Sequence, residues 1–345
     1  MTFPHALLVA GPTASGKSAL ALALAQRLHG IIINADSMQV YRELRVLTAR
    51  PTPEEEAQVP HALYGVRPAA QPGSVSWWRT EALGAMQAAR ANNRLPILTG
   101  GTGLYFASLT QGLADVPDPG PQARAEARAL LHDLGAPGLH ARLAAVDPAT
   151  AAKLKPNDSQ RIARAWEVWR GTGTGLAAWQ AQSSTAQSST AQSLTAQSLT
   201  AQSPQSQSDP IRATPAAWRF TAILLDPPRD QLRAAIATRF AAMRAEGALD
   251  EVRALLAQNL DPALPAMRAH GVPELSAYLR NEITLEEAGR RTELVTGQYT
   301  KRQATWFRHH RLAECMHTIH ARFAGLTQFS ERKLDEIIAF IQSPG

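Results

Sequence analysis

Leu7-Leu8-Val9-Ala10-Gly11-Pro12-Thr13-Ala14-Ser15-Gly16-Lys17-Ser18-Ala19-Leu20 decides how the rest of the chain is read. An apolar run of strand length leads into Gly-x-x-x-x-Gly-Lys-Ser, and the Ala/Leu-rich segment that follows has the composition of a helix. This is a P-loop in its required strand–loop–helix setting. The glycines let the backbone curl until successive N–H groups point into one hollow. Helix entry adds unpaired N–H groups and the positive end of a dipole. Lys17 supplies a mobile cation, and the Ser18 hydroxyl is placed to ligate Mg²⁺. Gly11, Pro12, Thr13, Ala14, Ser15, Gly16, Lys17 and Ser18 are therefore expected to cradle a di- or triphosphate.

The 345 residues can hold two domains, or one α/β domain carrying an insertion, and 45% hydrophobic with 19% charged residues is the balance of a soluble globular chain. No apolar run approaches the length that spans a bilayer. Met1-Thr2-Phe3-Pro4-His5 places no basic segment ahead of the first apolar stretch, which runs straight into the P-loop and reads as a core strand rather than a signal peptide. The single Cys315 excludes an intramolecular disulfide and a Cys-rich zinc module, and the expected compartment is the cytoplasm. A net charge of +6 and a pI near 9.8 fit a polyanionic partner, with no membrane in play.

Outward from the P-loop, a helix is expected over 16–29, and Ile31-Ile32-Ile33 reads as a second buried strand. Asp36 lies just past its carboxyl end, where open α/β sheets place their ligands. The Pro- and Gly-rich segment 50–75 reads as loop with one strand near 62–66, and 77–92 as helix. Leu95-Pro96-Ile97-Leu98-Thr99 is a third strand running into Gly100-Gly101-Thr102-Gly103-Leu104-Tyr105, a second turn where backbone can approach a phosphate. The alternation predicts an α/β fold: a P-loop NTPase-like parallel sheet with helices on both faces. After Val116-Pro117-Asp118-Pro119-Gly120-Pro121 the texture turns basic and helical throughout 122–170, with a helix start at Asn157-Asp158-Ser159 capped by Asp158 or Ser159. Residues 181–205 repeat an Ala-Gln-Ser pentad that buries little against its ordering entropy, and read as a disordered linker. Phe220 to Leu225 is a fourth strand, 230–258 a helix broken near Gly247, and the remainder helical to about 340. The expected division is a core in 1–115, an all-helical insertion in 116–178, a linker in 179–213, and core completion with a helical C-terminal part in 214–345.

Several residues keep more than one reading at this level. Asp36 can hold Mg²⁺ through water, act as a general base, or cap a helix. Arg229 and Arg239 follow a strand end where leaving-group oxygens can lie, and spacing alone allows a surface role equally. His317 and His320, one helical turn apart with no third ligand nearby, are surface histidines. The segment from Gln298 to Arg311 mixes cations with aromatics, either as a solvated helix face or as a surface for nucleic-acid phosphates and bases.

Gly11-Pro12-Thr13-Ala14-Ser15-Gly16-Lys17-Ser18 followed by Ala35-Asp36-Ser37-Met38-Gln39-Val40-Tyr41-Arg42 closely resembles the tRNA dimethylallyltransferases. Thr48-Ala49-Arg50-Pro51, Gly100 to Tyr105, Asn157-Asp158-Ser159-Gln160-Arg161-Ile162 and Lys301-Arg302-Gln303-Ala304-Thr305-Trp306-Phe307-Arg308 continue the resemblance in family order, from about 5 to 310. The resemblance implies transfer of a dimethylallyl group from dimethylallyl diphosphate to N6 of adenosine 37, beside the anticodon, with release of diphosphate and Mg²⁺ as cofactor. It implies Asp36 as the base. Thr13, Lys17 and Mg²⁺ on Ser18 would stabilise the leaving diphosphate, as would Arg239, with Arg229 the second choice. It also implies tRNA contacts at Asp36, Ser37, Met38, Gln39, Thr102, Arg124, Gln160, Arg161, Ile162, Ala163, Arg164, Lys301 and Arg302. The helical insertion would clasp the anticodon stem-loop, and a monomer suffices. Where the family usually has Gly-Tyr-Lys/Arg-Glu, this chain has Gly271-Val272-Pro273-Glu274, without the aromatic and the cation. A P-loop kinase acting on a small molecule or nucleotide is the alternative, and a nucleic-acid-binding protein without catalysis is a third reading.

Overall fold

The structure, a computed structural model, describes residues 4–181, 214–323 and 331–343. Most of the pentad repeat and of the expected linker 179–213 lies outside the described residues. The chain forms two compact units, one of residues 1–110 with 216–345 and one of residues 111–215.

The first unit is built on a six-stranded, all-parallel sheet. Its strands are β1 (His5–Ala10), β2 (Gly30–Asn34), β3 (His61–Ala62), β4 (Leu95–Gly100), β5 (Arg219–Leu225) and β6 (Cys315–Ile319), in the order β3-β2-β4-β1-β5-β6. Parallel strands need crossovers, and the helices that supply them cover both faces. Side chains alternate across β1 accordingly. Ala6, Leu8 and Ala10 enter one apolar cluster with Ile33, Leu98, Trp78 and Phe106, whereas Leu7 and Val9 enter a second with Ile32, Ile97, Ile223 and Phe323. The first cluster is roofed by α3 (Val75–Ala91), α4 (Gly103–Thr110) and helices from the C-terminal half. The second is roofed by α1 (Lys17–Arg27) and the last helix.

Two local readings are corrected here. The segment 50–75 is not loop alone: α2 (Pro53–Gln58) starts on a capping box in which Thr52 and Glu55 exchange hydrogen bonds, a Thr-x-x-Glu signal visible in the sequence. Its strand is only the two residues of β3. Residues 315–319 are strand, not helix: β6 pairs in parallel with β5, and tertiary pairing at the sheet edge overrides a weak local pattern. His317 and His320 are exposed, His317 on that edge strand.

The second unit is helical but not continuous. α5 (Gly120–Val146) is broken at Gly135, which adopts φ 66° two residues before Pro137. α6 (Pro148–Ala151) and α7 (Ser159–Thr172) follow, α7 capped by the Asp158 carboxylate accepting from the Arg161 N–H. Leu139, Leu143, Ile162 and Trp166 form the core of this unit.

The C-terminal half of the first unit adds α8 (Arg229–Ala245), α9 (Ala248–Leu256), α10 (Val272–Leu279), α11 (Leu285–His309) and α12 (Glu331–Gln342). Gly247, at φ 100°, separates α8 from α9, where the break is expected.

Trp78 is the largest wholly buried side chain; its ring stacks on Tyr105 at 4.2 Å and its Nε1–H donates to the Asn34 carbonyl at 2.8 Å. Trp78→Ala is expected to cost about 3–5 kcal/mol of the sheet unit's stability in denaturant titration, and Trp78→Phe, which loses mainly the hydrogen bond, about 1–2 kcal/mol.

Candidate active site

β2, β4 and β1 lie side by side, and each hands its chain at the carboxyl end to a turn that carries site residues. After β1, the loop closes on itself through Ser15 N–H to Pro12 O at 3.2 Å. Ala14 (φ 67°) and Gly16 (φ 90°) are both left-handed, the alternation that gathers backbone N–H groups into an anion hollow. Only glycine fits at 16, because a Cβ there would lie 1.7 Å from the Phe323 carbonyl oxygen.

Lys17 is buried, and its Nζ donates to the Pro12 carbonyl at 3.3 Å. Burial pushes its pKa down to about 8; the Asp36 carboxylate opposes this and the Arg239 charge adds to it. Arg239 is shifted down by burial too, again opposed by Asp36, with the Arg322 charge pushing further. Its Nη2 donates to the Thr48 carbonyl at 3.3 Å. Lys17, Ser18, Thr99, Arg239 and Arg322 line a cavity of about 440 Å³ whose apolar wall includes Val46, Tyr64 and Met243. Two hydroxyl oxygens here, Ser15 Oγ and Thr99 Oγ1, are buried without a hydrogen-bond partner.

After β2, Asn34 organises the turn: its Oδ1 accepts from Asp36 N–H at 2.8 Å and its Nδ2 donates to the carbonyls of Asp36 and Leu63. Asp36 Oδ1 in turn accepts from Met38 N–H at 2.9 Å, so the carboxylate closes a turn and caps no helix. Asp36 does not line the cavity, yet its charge reaches both Lys17 and Arg239. After β4, Thr102 Oγ1 accepts from Ser37 N–H at 3.0 Å, joining the second glycine turn to the Asp36 turn. Gln39 spends its Nε2 on the carbonyls of Thr48 and Ala49.

One residue joins these turns that residue-level reading left without a role. Gln303, on α11 and 5% exposed, accepts through Oε1 from both the N–H (2.8 Å) and the hydroxyl (3.0 Å) of Thr13, and donates through Nε2 to the Gly101 carbonyl at 2.9 Å. On the same helix Lys301 and Arg302 are exposed, with the Arg302 guanidinium 5.5 Å above the Tyr299 ring. Gly103 lies against Trp306, whose ring a Cβ would strike. Glu251 was also missed: its carboxylate accepts from the N–H groups of Arg45, Val46 and Leu47 at 2.6–2.9 Å and fixes the loop that carries Thr48.

The IPP transferase family profile matches residues 39–310, and an isopentenyl transferase profile matches residues 4–66. The chain belongs to the IPP transferase family. It is 57% identical over 341 residues to the tRNA dimethylallyltransferase of Granulibacter bethesdensis, covering 98% of each chain. Against that of Gluconacetobacter diazotrophicus it is 57% identical over 337 residues, covering 97% of this chain and 93% of the relative. Among solved structures, the tRNA isopentenylpyrophosphate transferase of Bacillus halodurans superposes with a TM-score of 0.63 at 29% identity, covering 99% of this chain and 96% of that one. A eukaryotic dimethylallyltransferase shares the fold, with a TM-score of 0.72 at 24% identity over 98% of this chain and 79% of that one.

Within that family frame the expected residues sort plainly. Gly11 to Ser18, Asp36 to Gln39, Thr102, Arg239, Lys301 and Arg302 all belong to the sheet unit, and Gly16, Lys17, Ser18 and Arg239 share one cavity. Arg229 does not join them: it is exposed on the first turn of α8 and absent from the cavity wall. In the helical unit, Gln160 and Arg161 are exposed, Ala163 and Arg164 half-buried, and Arg124 pairs with Asp118. Ile162 is corrected: wholly buried among Ala127, Leu139 and Leu143, its side chain has no surface to offer a partner. Pro273 stands in the first turn of α10, where no backbone donor is needed, and Glu274 bonds back to Gly271 N–H at 3.0 Å.

Gln303→Leu removes the acceptor of both half-buried Thr13 donors and frees the first part of the P-loop from α11. Calorimetric titration with inorganic diphosphate is expected to show affinity lower by roughly 10- to 100-fold, and Gln303→Glu, which keeps an acceptor for Thr13, to fall between.

Proposed function

We propose that this chain transfers a dimethylallyl group from dimethylallyl diphosphate to N6 of adenosine 37 in tRNA, releasing diphosphate. The observation that carries the reading is a P-loop hollow holding Lys17 and Arg239, with the Asp36 carboxylate past the end of a nearby strand, in a chain of this family.

The allylic carbon is electrophilic only if diphosphate can depart. The P-loop amides, Lys17 and Arg239 stabilise the charge that gathers as the C–O bond breaks, and Thr13, both of whose donors are held by Gln303, shapes the loop that presents those amides. Binding an anion returns the Lys17 ammonium towards its ordinary pKa, since burial is what depressed it. The N6 amine is a weak nucleophile because its lone pair is shared with the purine ring. As the N–C bond forms it must lose a proton, and Asp36 accepts it. Oδ1 is engaged by the Met38 N–H, which leaves Oδ2 as the basic oxygen. The adenine must leave its stack to reach the site. Ser37 to Gln39, Thr102, Lys301 and Arg302 on the sheet unit, and Arg124, Gln160, Arg161 and Arg164 on the helical unit, contact the anticodon stem-loop.

The site suits Mg²⁺ delivered with the substrate. Among the described residues no cluster of three His, Cys, Asp or Glu side chains could cage a metal, whereas the exposed Ser18 hydroxyl and the unpartnered Thr99 Oγ1 face the phosphate cavity. When bound, Mg²⁺ supplies further charge neutralisation of the diphosphate. We place the protein in the cytoplasm and acting as a monomer; no helix among the described residues is long and apolar enough to cross a membrane. A kinase would use the same loop on a triphosphate, but the relatives named above are prenyl transferases and nothing in the site favours it.

Asp36→Asn keeps an oxygen for the Met38 N–H but removes the proton acceptor. Turnover, read as mass gain on tRNA, is expected to fall roughly 10²- to 10⁴-fold with tRNA affinity retained. Undiminished turnover removes Asp36 as base, and γ-phosphate transfer to a small acceptor replaces the reading with the kinase.

A further inference from the structure

Lys17 and Arg239 are two of the cations on the phosphate cavity, and Arg322 is a third that the mechanism has not used. Arg322 follows β6 by three residues, beyond the half of the sheet that carries β5. Its Nε donates to the Ala14 carbonyl at 3.0 Å, and its backbone N–H to Gln231 Oε1 at 3.3 Å, on the same helix as Arg239. The next residue locks the position: Phe323 N–H donates to the Ser15 carbonyl at 3.0 Å and its ring is buried under α1. The guanidinium is thus held by the P-loop itself, and the backbone that carries it is held by α8, the helix of Arg239.

What it lacks is a counter-ion. Among the described residues no carboxylate lies within ion-pair distance of Arg322, and its two Nη groups make no hydrogen bond. Arg290 and Arg291, by contrast, are both paired with Glu287. Arg322 instead faces Arg239 closely enough for their charges to interact. Lys17, Arg239 and Arg322 gather around one hollow with only Asp36, at a distance, to oppose the charge on Lys17 and Arg239, and an anion entering the hollow relieves that crowding. A guanidinium anchored through Nε still presents its Nη fork, the geometry that grips a phosphate in bidentate fashion.

We propose that Arg322 binds the diphosphate of the prenyl donor as a third cationic arm, beside Lys17 and Arg239. The identity of the anion rests on the prenyl-transfer reading; the anion site itself does not. Arg322 reaches the diphosphate from the C-terminal strap of the chain, so it acts on the leaving group and not on the acceptor base. It strengthens its hold as the C–O bond breaks and charge collects on the phosphate oxygens.

The test is calorimetric titration of the full-length protein with inorganic diphosphate, alone and with Mg²⁺, paired with transferase kinetics. Arg322→Gln is expected to weaken diphosphate binding roughly 10- to 100-fold and to raise KM for dimethylallyl diphosphate in parallel, while Arg322→Lys loses less than about tenfold. KM for tRNA and the thermal midpoint stay at their wild-type values. Diphosphate affinity unchanged in Arg322→Gln overturns the proposal. So does a loss shared equally by both substrates with a lowered thermal midpoint, which marks Arg322 as a brace for Ala14 alone. Weakened diphosphate binding in a chain that transfers no dimethylallyl group upholds the anion site and overturns the prenyl-transfer reading instead.

Discussion

The buried amide of Gln303 ties together three stretches that are far apart in sequence: the loop after β1, the turn after β4 and the helix α11. One of its bonds satisfies the buried Gly101 carbonyl and the other two hold half-buried Thr13, so the amide fixes all three stretches at once. By accepting both donors of Thr13, the amide turns the first part of the P-loop inward and fixes its register against the helix. The same helix carries Lys301 and Arg302 on its exposed side, with the Arg302 guanidinium over the Tyr299 ring. The exposed cations and the amide that orders the P-loop are therefore carried rigidly by one helix.

That rigidity matters because the site is electrostatically costly. Lys17 is buried and Arg239 half-buried with Asp36 as the opposing charge, and Asp36 reaches them across a distance rather than in a contact pair. Stability elsewhere must offset this. It comes from a sheet buried on both faces, where alternate residues of each strand enter separate apolar clusters. Trp78 joins the two concerns: it fills the larger cluster and also holds the Asn34 carbonyl, whose side chain shapes the Asp36 turn.

The parts of this arrangement legible in the sequence were those written in local pattern. The P-loop, the triple-isoleucine strand and the glycine turn after β4 each announce themselves by spacing, and the parallel sheet follows from their alternation. β6 was not legible, because Cys315 to Ile319 is a short, half-buried edge strand whose conformation comes from pairing with β5. Ile162 misled for the opposite reason: it sits in a motif of surface residues, and only the packing of α5 on α7 shows that its side chain points into the core. Glu251 and Arg322 could not be found by spacing at all, since each acts on backbone groups some 200 or more residues away. Gln303 stood inside a quoted motif, yet its partners are visible only in three dimensions.

The departure at Gly271 to Glu274 is clarified by the same packing. Val272 is 1% exposed and belongs to the core cluster, and Pro273 and Glu274 begin α10 with a satisfied first turn. Beside it, the His270 ring meets the Tyr299 ring edge-on at 4.9 Å. Burial lowers the pKa of His270, with Glu274 opposing and the Arg302 charge adding, so the ring is neutral at pH 7 and does not repel the guanidinium stacked over the same tyrosine. The cations of α11 are left in place. The first turn of α10 is thus closed by its own residues, while Lys301 and Arg302 stay exposed on α11.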